Sequence, residues 1–228
     1  MSPERGSQPD ADFVEQVMAR FIGDFPEAVL IGGWATYLRT KVAKSHDIDV
    51  IVDHATLALL RSKYRLSPSR HLSGKKFEVV LDGVEVDVYP VYQSRLGQRL
   101  QVPVETLIAH AERIGHAKVL TAEALFVAKM AALLDRPDTL PGEKDRQEMW
   151  SLANSSSPLD FGVVAGILEQ SGYGQEARRR LLTETFDLLE ETNGLTKTGR
   201  LKLRLSRAAA LTAMSVRPAQ THEQDLER

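Results

Sequence analysis

Residues Leu30 to Asp53 read LIGGWATYLRTKVAKSHDIDVIVD. The stretch holds Gly32-Gly33, thirteen further residues, and then Asp47 and Asp49 set among Ile48, Val50, Ile51 and Val52. Side chains alternate faces along a strand, so residues two apart point the same way. A strand over Asp47–Asp53 therefore stands two carboxylates side by side on one face, where they repel. Such a pair is tolerated when a cation, a base or a shared proton accompanies it.

The surrounding pattern supplies more. Asp10 caps an expected helix with Phe13, Val14, Val17, Met18, Phe21 and Ile22 at helical spacing, after a disordered start over residues 1–9. Ala28–Ile31 reads as a strand, Gly32-Gly33 as a turn, Trp34–Thr40 as a helix and Ala55–Tyr64 as another. Asp82-Gly83 lies between the strand-like runs Lys75–Leu81 and Val84–Val91, which is a strong hairpin signal. In the second run Val84, Val86 and Val88 share one face, and Glu85 and Asp87 share the other. Asp87 can then stand beside the Asp47 strand as a third carboxylate. Three carboxylates from two strands make a hard oxygen site, suited to Mg²⁺ or Mn²⁺ rather than zinc. A glycine pair between a strand and a helix lets backbone N–H groups approach a phosphate.

Beyond the hairpin the pattern becomes helical: Pro103–Arg113, a helix led by Thr121 and Glu123, Glu143–Leu152, and then roughly 158–170, 174–191 and 198–215. Pro137 and Pro141-Gly142 act as breaks, and the tail from Pro218 is polar and loose. The expectation is an α+β chain. An α/β domain with a short mixed sheet spans residues 1–115, and an all-helical bundle spans 116–228, with a cleft between them.

Composition excludes several classes. The 228 residues carry a formal net charge of −2 and are 43% hydrophobic, enough for a real core. No apolar run reaches the roughly 18 residues that suggest a membrane span. The opening MSPERGSQPDAD lacks a signal peptide's apolar stretch, and there is no cysteine, so disulfides, thiolate metal sites and a cysteine nucleophile are out. A cytoplasmic location fits these features. Thr192–Thr221 has no acidic residue but carries Lys197, Arg200, Lys202, Arg204, Arg207 and Arg217. That is either a solvated helix face or an RNA backbone contact, with Arg178-Arg179-Arg180 joining it if the helices meet.

Taken singly, each motif is ordinary: a glycine pair is a turn, and Asp-x-Asp is a solvated strand. Taken in order, Gly32-Gly33, Asp47-Ile48-Asp49 and Asp87 resemble the nucleotidyltransferase superfamily related to DNA polymerase β. Ser45 sits where that superfamily often has a small hydroxyl residue. The segment LTAEALFVAKMAALLDRPDTLPGEKDRQEMWSLA is similar to the second half of the AbiEii-type nucleotidyltransferases and their MenT toxin relatives, with Lys129, Arg136 and Lys144-Asp145 at matching positions. The resemblance spans roughly residues 28–155.

It implies that Asp47, Asp49 and Asp87 hold the metals, with Asp87 also activating an acceptor hydroxyl. Gly32 and Gly33 would cradle a nucleoside triphosphate, Lys129 would neutralise it, and Asp145 would orient Lys129 or touch the nucleotide. The implied acceptor is RNA, a tRNA 3′ end, and a cognate antitoxin is the implied partner. Transfer to a protein side chain or an antibiotic, and a non-catalytic nucleotide-binding module, are the rival readings. Among the remaining residues, Lys129 could instead snorkel to the surface. Asp145 could simply favour a helix N-terminus. Arg136 reads as structural or solvent-facing, Glu85 as no ligand, and His46 as pointing to the opposite face from Asp47.

Overall fold

The computed structural model describes residues 10–69, 76–155 and 157–215. The readings on residues 1–9, Lys75, Arg217 and the tail from Pro218 fall outside these. The chain is α+β, with a mixed sheet in its N-terminal half and helices after it. Among the described residues no helix is long and apolar enough to cross a membrane.

Helix α1 (Ala11–Asp24) is capped by Asp10 and buries Val14, Val17, Met18, Phe21 and Ile22 as its spacing predicts, while Phe13 of the same expected set is exposed. Strand β1 (Val29–Ile31) leads straight into α2 (Gly32–Thr40), which starts at the glycine pair itself rather than at Trp34. Strand β2 (Ile48–Val52) and helix α3 (His54–Lys63, capped by Asp53) follow. After the short β3 (Ser67–Pro68) comes the expected hairpin, β4 (Phe77–Leu81) and β5 (Val84–Pro90). Its turn has Asp82 and Gly83 at φ 51° and 83°, the positive-φ pair that an Asp-Gly hairpin requires.

The run Pro103–Arg113 is not one helix. A minor ladder of β6 (Arg95–Leu96) and β7 (Val102–Pro103) precedes a single short helix, α4 (Val104–Ile108). The chain then forms a second hairpin, β8 (Ala111–Ile114) and β9 (Ala117–Leu120), turning at Gly115 with φ 61°. Strand β9 pairs parallel with β1, and the burial of Val119 and Leu120 beside it outweighs the helical appearance of the preceding run. The order of the main sheet is β3-β4-β5-β2-β1-β9-β8, and β9, its last strand in chain order, lies past residue 115.

The helical half holds α5 (Ala122–Asp135), α6 (Leu140–Ala153), α7 (Phe161–Gln170), α8 (Gln175–Glu190) and α9 (Lys197–Ala213). Helix α5 ends before Pro137 as expected, but α6 starts at Leu140 rather than Glu143, with Pro141-Gly142 in its first turn under the Thr139 cap, where proline's missing N–H costs nothing. Gly142 is required there, since a Cβ would meet the Arg136 carbonyl at 2.0 Å. Helix α5 is buried on nearly all sides because it packs on α2, α6, α7 and α8. One hydrophobic core runs from Val14 in α1 to Met214 after α9.

Candidate active site

The face alternation that sequence assigns to β2 and β5 is the one observed. Ile48, Val50 and Val52 on β2 and Val84, Val86 and Val88 on β5 are fully buried on one face. Their neighbours Asp49, Glu85, Asp87 and Tyr89 turn to the other. β2 and β5 run parallel with Asp49 opposite Asp87, and β4 runs antiparallel to β5 with Glu78 opposite Asp87. Three carboxylates, Asp49, Asp87 and Glu78, thus form a row across three strands.

Asp49 and Asp87 of this row floor a cleft of about 870 Å³ whose other walls are α5, α6, the start of α2 and the segment before β2. Gly32, Gly33, Ser45, Asp47, Asp49, Asp87, Lys129 and Asp145 all line it, whereas the basic residues singled out in the C-terminal helices do not. Asp47 lies one residue before β2 rather than in it, and is exposed. Ser45, almost fully buried, donates to Asp47 Oδ1 at 2.5 Å and accepts from Lys144 Nζ at 3.2 Å. His46 lines the cleft too, contrary to the expectation that it points away. In this bent segment the strict alternation of a strand does not hold.

Helix α2 opens onto the cleft without a side-chain cap, because its N-cap residue is Ile31. The orphan N–H groups of its first turn are therefore available to an anion, with the helix dipole behind them. Gly32 has φ 63°, and a Cβ there would lie 2.1 Å from Asp49 Oδ2. A Cβ on Gly33 would lie 2.5 Å from Ser45 Oγ. Gly32 thus lets the backbone meet the Asp49 carboxylate, and Gly33 lets it meet the Ser45 hydroxyl. Gly32→Ala is expected to cost about 1–2 kcal/mol of stability for the left-handed backbone, and to swing the Asp49 carboxylate out of position. A thermal melt together with a Mn²⁺ titration checks this: the melt should move slightly and the ion affinity should collapse.

Charge is concentrated here. Burial first, then the neighbouring Asp47 and Asp87, push the Asp49 carboxyl up to about 7. Burial pushes Asp87 up to about 6 even though the Lys76 ammonium pulls it down. Tyr89 donates to Asp49 Oδ1 at 3.4 Å, and burial with the surrounding carboxylates keeps its hydroxyl protonated. Asp87 Oδ1 is buried without a hydrogen-bond partner. Among the described residues, Glu78, Glu85 and Asp87 form the cluster whose carboxylate oxygens lie within 4.8 Å of one another. Glu85, read as no ligand, belongs to that cluster. Donor type, an orphaned buried oxygen and carboxyls held above their usual range all fit a divalent cation bound through oxygen.

The α5–α6 wall carries a second network. Lys129 is not a snorkelling residue: it is 8% exposed and paired with Asp145 at 3.1 Å and with Glu148. Burial opposes its charge, but Glu148 and Asp145 outweigh burial and hold the ammonium above its ordinary value. Arg136, read as structural or solvent-facing, is half exposed and clamps the other Asp145 oxygen through Nε at 2.9 Å and Nη2 at 2.7 Å. Lys144 reaches into the cleft 3.9 Å from Glu148 and beside Gly33. Sequence reasoning missed Lys76, Glu78, Tyr89 and Glu148. The first three follow from the Asp82-Gly83 turn, since pairing Leu81 with Val84 fixes Glu78 opposite Asp87.

No protein-family model matches the chain, and no curated protein matches it. Among solved structures it is similar to JHP933 from Helicobacter pylori, at 12% identity and a TM-score of 0.46, over 92% of this chain and 95% of that one. It is also similar to an antigenic nucleotidyltransferase-like protein from Paracoccidioides brasiliensis, at 16% identity and a TM-score of 0.39, over 77% of this chain and 91% of that one. At these values the likeness is loose, and the cleft's own chemistry carries the functional reading.

Proposed function

We propose that the chain is a metal-dependent nucleotidyltransferase that moves a nucleoside monophosphate from a nucleoside triphosphate to an acceptor hydroxyl. One observation carries this: the uncapped start of α2 touches the carboxylate row, with Gly32 so close to Asp49 that a Cβ would sit 2.1 Å from its oxygen. A helix end that favours phosphate and carboxylates that favour a divalent cation thus share one cleft.

Asp47, Asp49 and Asp87 would hold Mg²⁺ or Mn²⁺. Such an ion, when bound, neutralises phosphate charge and makes a hydroxyl easier to deprotonate. Gly32 and Gly33 offer backbone N–H groups to the triphosphate, and Ser45 sets the Asp47 carboxylate. Lys144 reaches the glycine pair, with Lys129 set behind it by Asp145. The acceptor oxygen forms a bond to the α-phosphorus while the α–β phosphoanhydride bond breaks and pyrophosphate leaves. Asp87 would also take the hydroxyl's proton. Positioning and charge neutralisation are what phosphoryl transfer chiefly demands. Incubation of the protein with each α-labelled triphosphate, Mg²⁺ and either total RNA or total protein tests the reading. Label should enter one acceptor pool, and an Asp87→Asn variant should leave both pools blank. Equal labelling by the variant would refute the assignment.

For the acceptor we propose RNA, a tRNA 3′ end, on the sequence resemblance to the toxin nucleotidyltransferases, with a cognate antitoxin as partner. Helix α9 bears on this. Arg207 pairs with Asp187 at 2.6 Å, Lys202 with Asn154 at 2.8 Å, and Arg178 is buried against α7, so only part of the basic segment is open to a partner. Arg200 and Arg204 are exposed one helical turn apart. If they contact RNA, each phosphate contact adds about −0.7 to −0.9 to the slope of log affinity against log salt. Reversing both to Glu is expected to flatten that slope by roughly 1.5 to 2 units in a KCl filter-binding series with tRNA. A double mutant that binds like wild type would retire α9 as the platform.

A further inference from the structure

Lys76 belongs to none of the motifs, yet it holds the central carboxylate of the site. It stands one residue before β4, on the same face as Glu78. Its ammonium pairs with Asp87 Oδ2, lies 3.7 Å from Glu78 Oε1, and sits 5.7 Å from the centre of the Tyr89 ring. The side chains of Lys76 and Asp87 are 12% and 11% exposed, so little water screens the pair. The two carboxylates it joins, Asp87 and Glu78, form with Glu85 a cluster that has the spacing of a metal site. The remaining Asp87 oxygen is buried and without a partner, although Asp87 is 92% buried.

We propose that Lys76 is a built-in cation that takes the place of a divalent ion in this cluster. An ammonium and a divalent ion held by the same carboxylate repel strongly in a site this poor in water. Without nucleotide the chain therefore takes one divalent ion, through Asp47 and Asp49, and an ion reaches Asp87, the third ligand of the proposed site, only by displacing Lys76. An ordinary structural ion pair would affect stability alone. A substituting cation also fixes how many ions the cleft accepts. The inference rests on the metal-dependent reading of the cleft, but it makes its own statement about ion count.

The experiment is isothermal titration with MnCl₂ alone at pH 7.5, without nucleotide. Wild type is expected to bind one Mn²⁺. Lys76→Gln should bind two, the second at least about tenfold more tightly than wild type binds any second ion, and Lys76→Arg should titrate like wild type. A folded Lys76→Gln variant that titrates like wild type overturns the proposal. Glu85→Gln, at an exposed position, provides a second arm that leaves Lys76 in place. It should not change the Mn²⁺ count, and loss of one ion in this variant would also overturn the proposal. Asp49→Asn separates this from the metal-dependent reading itself. If wild type and Asp49→Asn both bind no Mn²⁺, the Asp47–Asp49 assignment fails, whereas an ion gained by Lys76→Gln would still uphold Lys76 as the substituting cation.

Discussion

Asp49→Asn is expected to abolish nucleotide transfer and at the same time to make the metal-free protein more stable at neutral pH. The two effects share one cause. Asp49 is crowded by Asp47 and Asp87 on a largely buried face, and its carboxyl is pushed from 3.8 up to about 7. Because the folded value lies above the unfolded one, the folded state binds more protons between these values. Stability therefore falls as pH rises from about 4 to about 7. At 1.36 kcal/mol for each unit the penalty at pH 8 is at most roughly 4 kcal/mol. Asn has nearly the same shape and no charge, so the variant escapes this penalty and still accepts the Tyr89 hydrogen bond. In EDTA the melting temperature of the variant should exceed that of wild type by more at pH 8 than at pH 5. Added Mn²⁺ should raise the wild-type value and leave the variant unmoved. Full transfer activity in the variant would remove Asp49 from the site, and a lower melting temperature in EDTA at pH 8 would contradict the repulsion argument.

The parts of this site that sequence exposes are those governed by local rules. Alternation along β2 and β5 places Asp49 and Asp87 on the face away from Ile48, Val50, Val86 and Val88 without any knowledge of tertiary structure. The Asp82-Gly83 turn fixes its own hairpin through two positive φ angles. What sequence hides depends on partners distant in the chain. β8 and β9 are four residues each and carry charges, so nothing local separates them from a helix. Only the open edge of β1 calls them into the sheet. His46 turns into the cleft because the chain is bent before Ile48, and Pro141 sits in α6 because Thr139 caps the helix two residues earlier than the proline suggests. Lys129 looks like a lone cation on an apolar helix because Asp145 and Glu148, which bury it, lie on α6 and one turn apart.

That burial reverses the expected outcome of Lys129→Ala. On propensity alone the helix would gain a few tenths of a kcal/mol, and only triphosphate binding would suffer. The observed contacts demand the opposite. Asp145 and Glu148 are 1% and 2% exposed, and removing Lys129 leaves Glu148 with only Lys144 at 3.9 Å. Asp145 keeps Arg136, whose guanidinium is half exposed and satisfies one of its two oxygens. Breaking a buried pair from one side costs about 3–5 kcal/mol, roughly ten times the helix gain. For a chain of this size that corresponds to a fall of about 6–20 °C in melting temperature. The loss should shrink in acid, because a buried Glu148 without its cation can relieve its charge only by taking a proton. Stability of the variant then rises, relative to wild type, as pH is lowered. Glu148→Gln added to Lys129→Ala should recover much of the loss, since it removes the stranded charge. Thermal melts of wild type, single and double variants at pH 5 and pH 8 read all three expectations. An unchanged melting temperature with triphosphate affinity down tenfold would instead show that Lys129 spends its charge on phosphate and not on the α5–α6 wall.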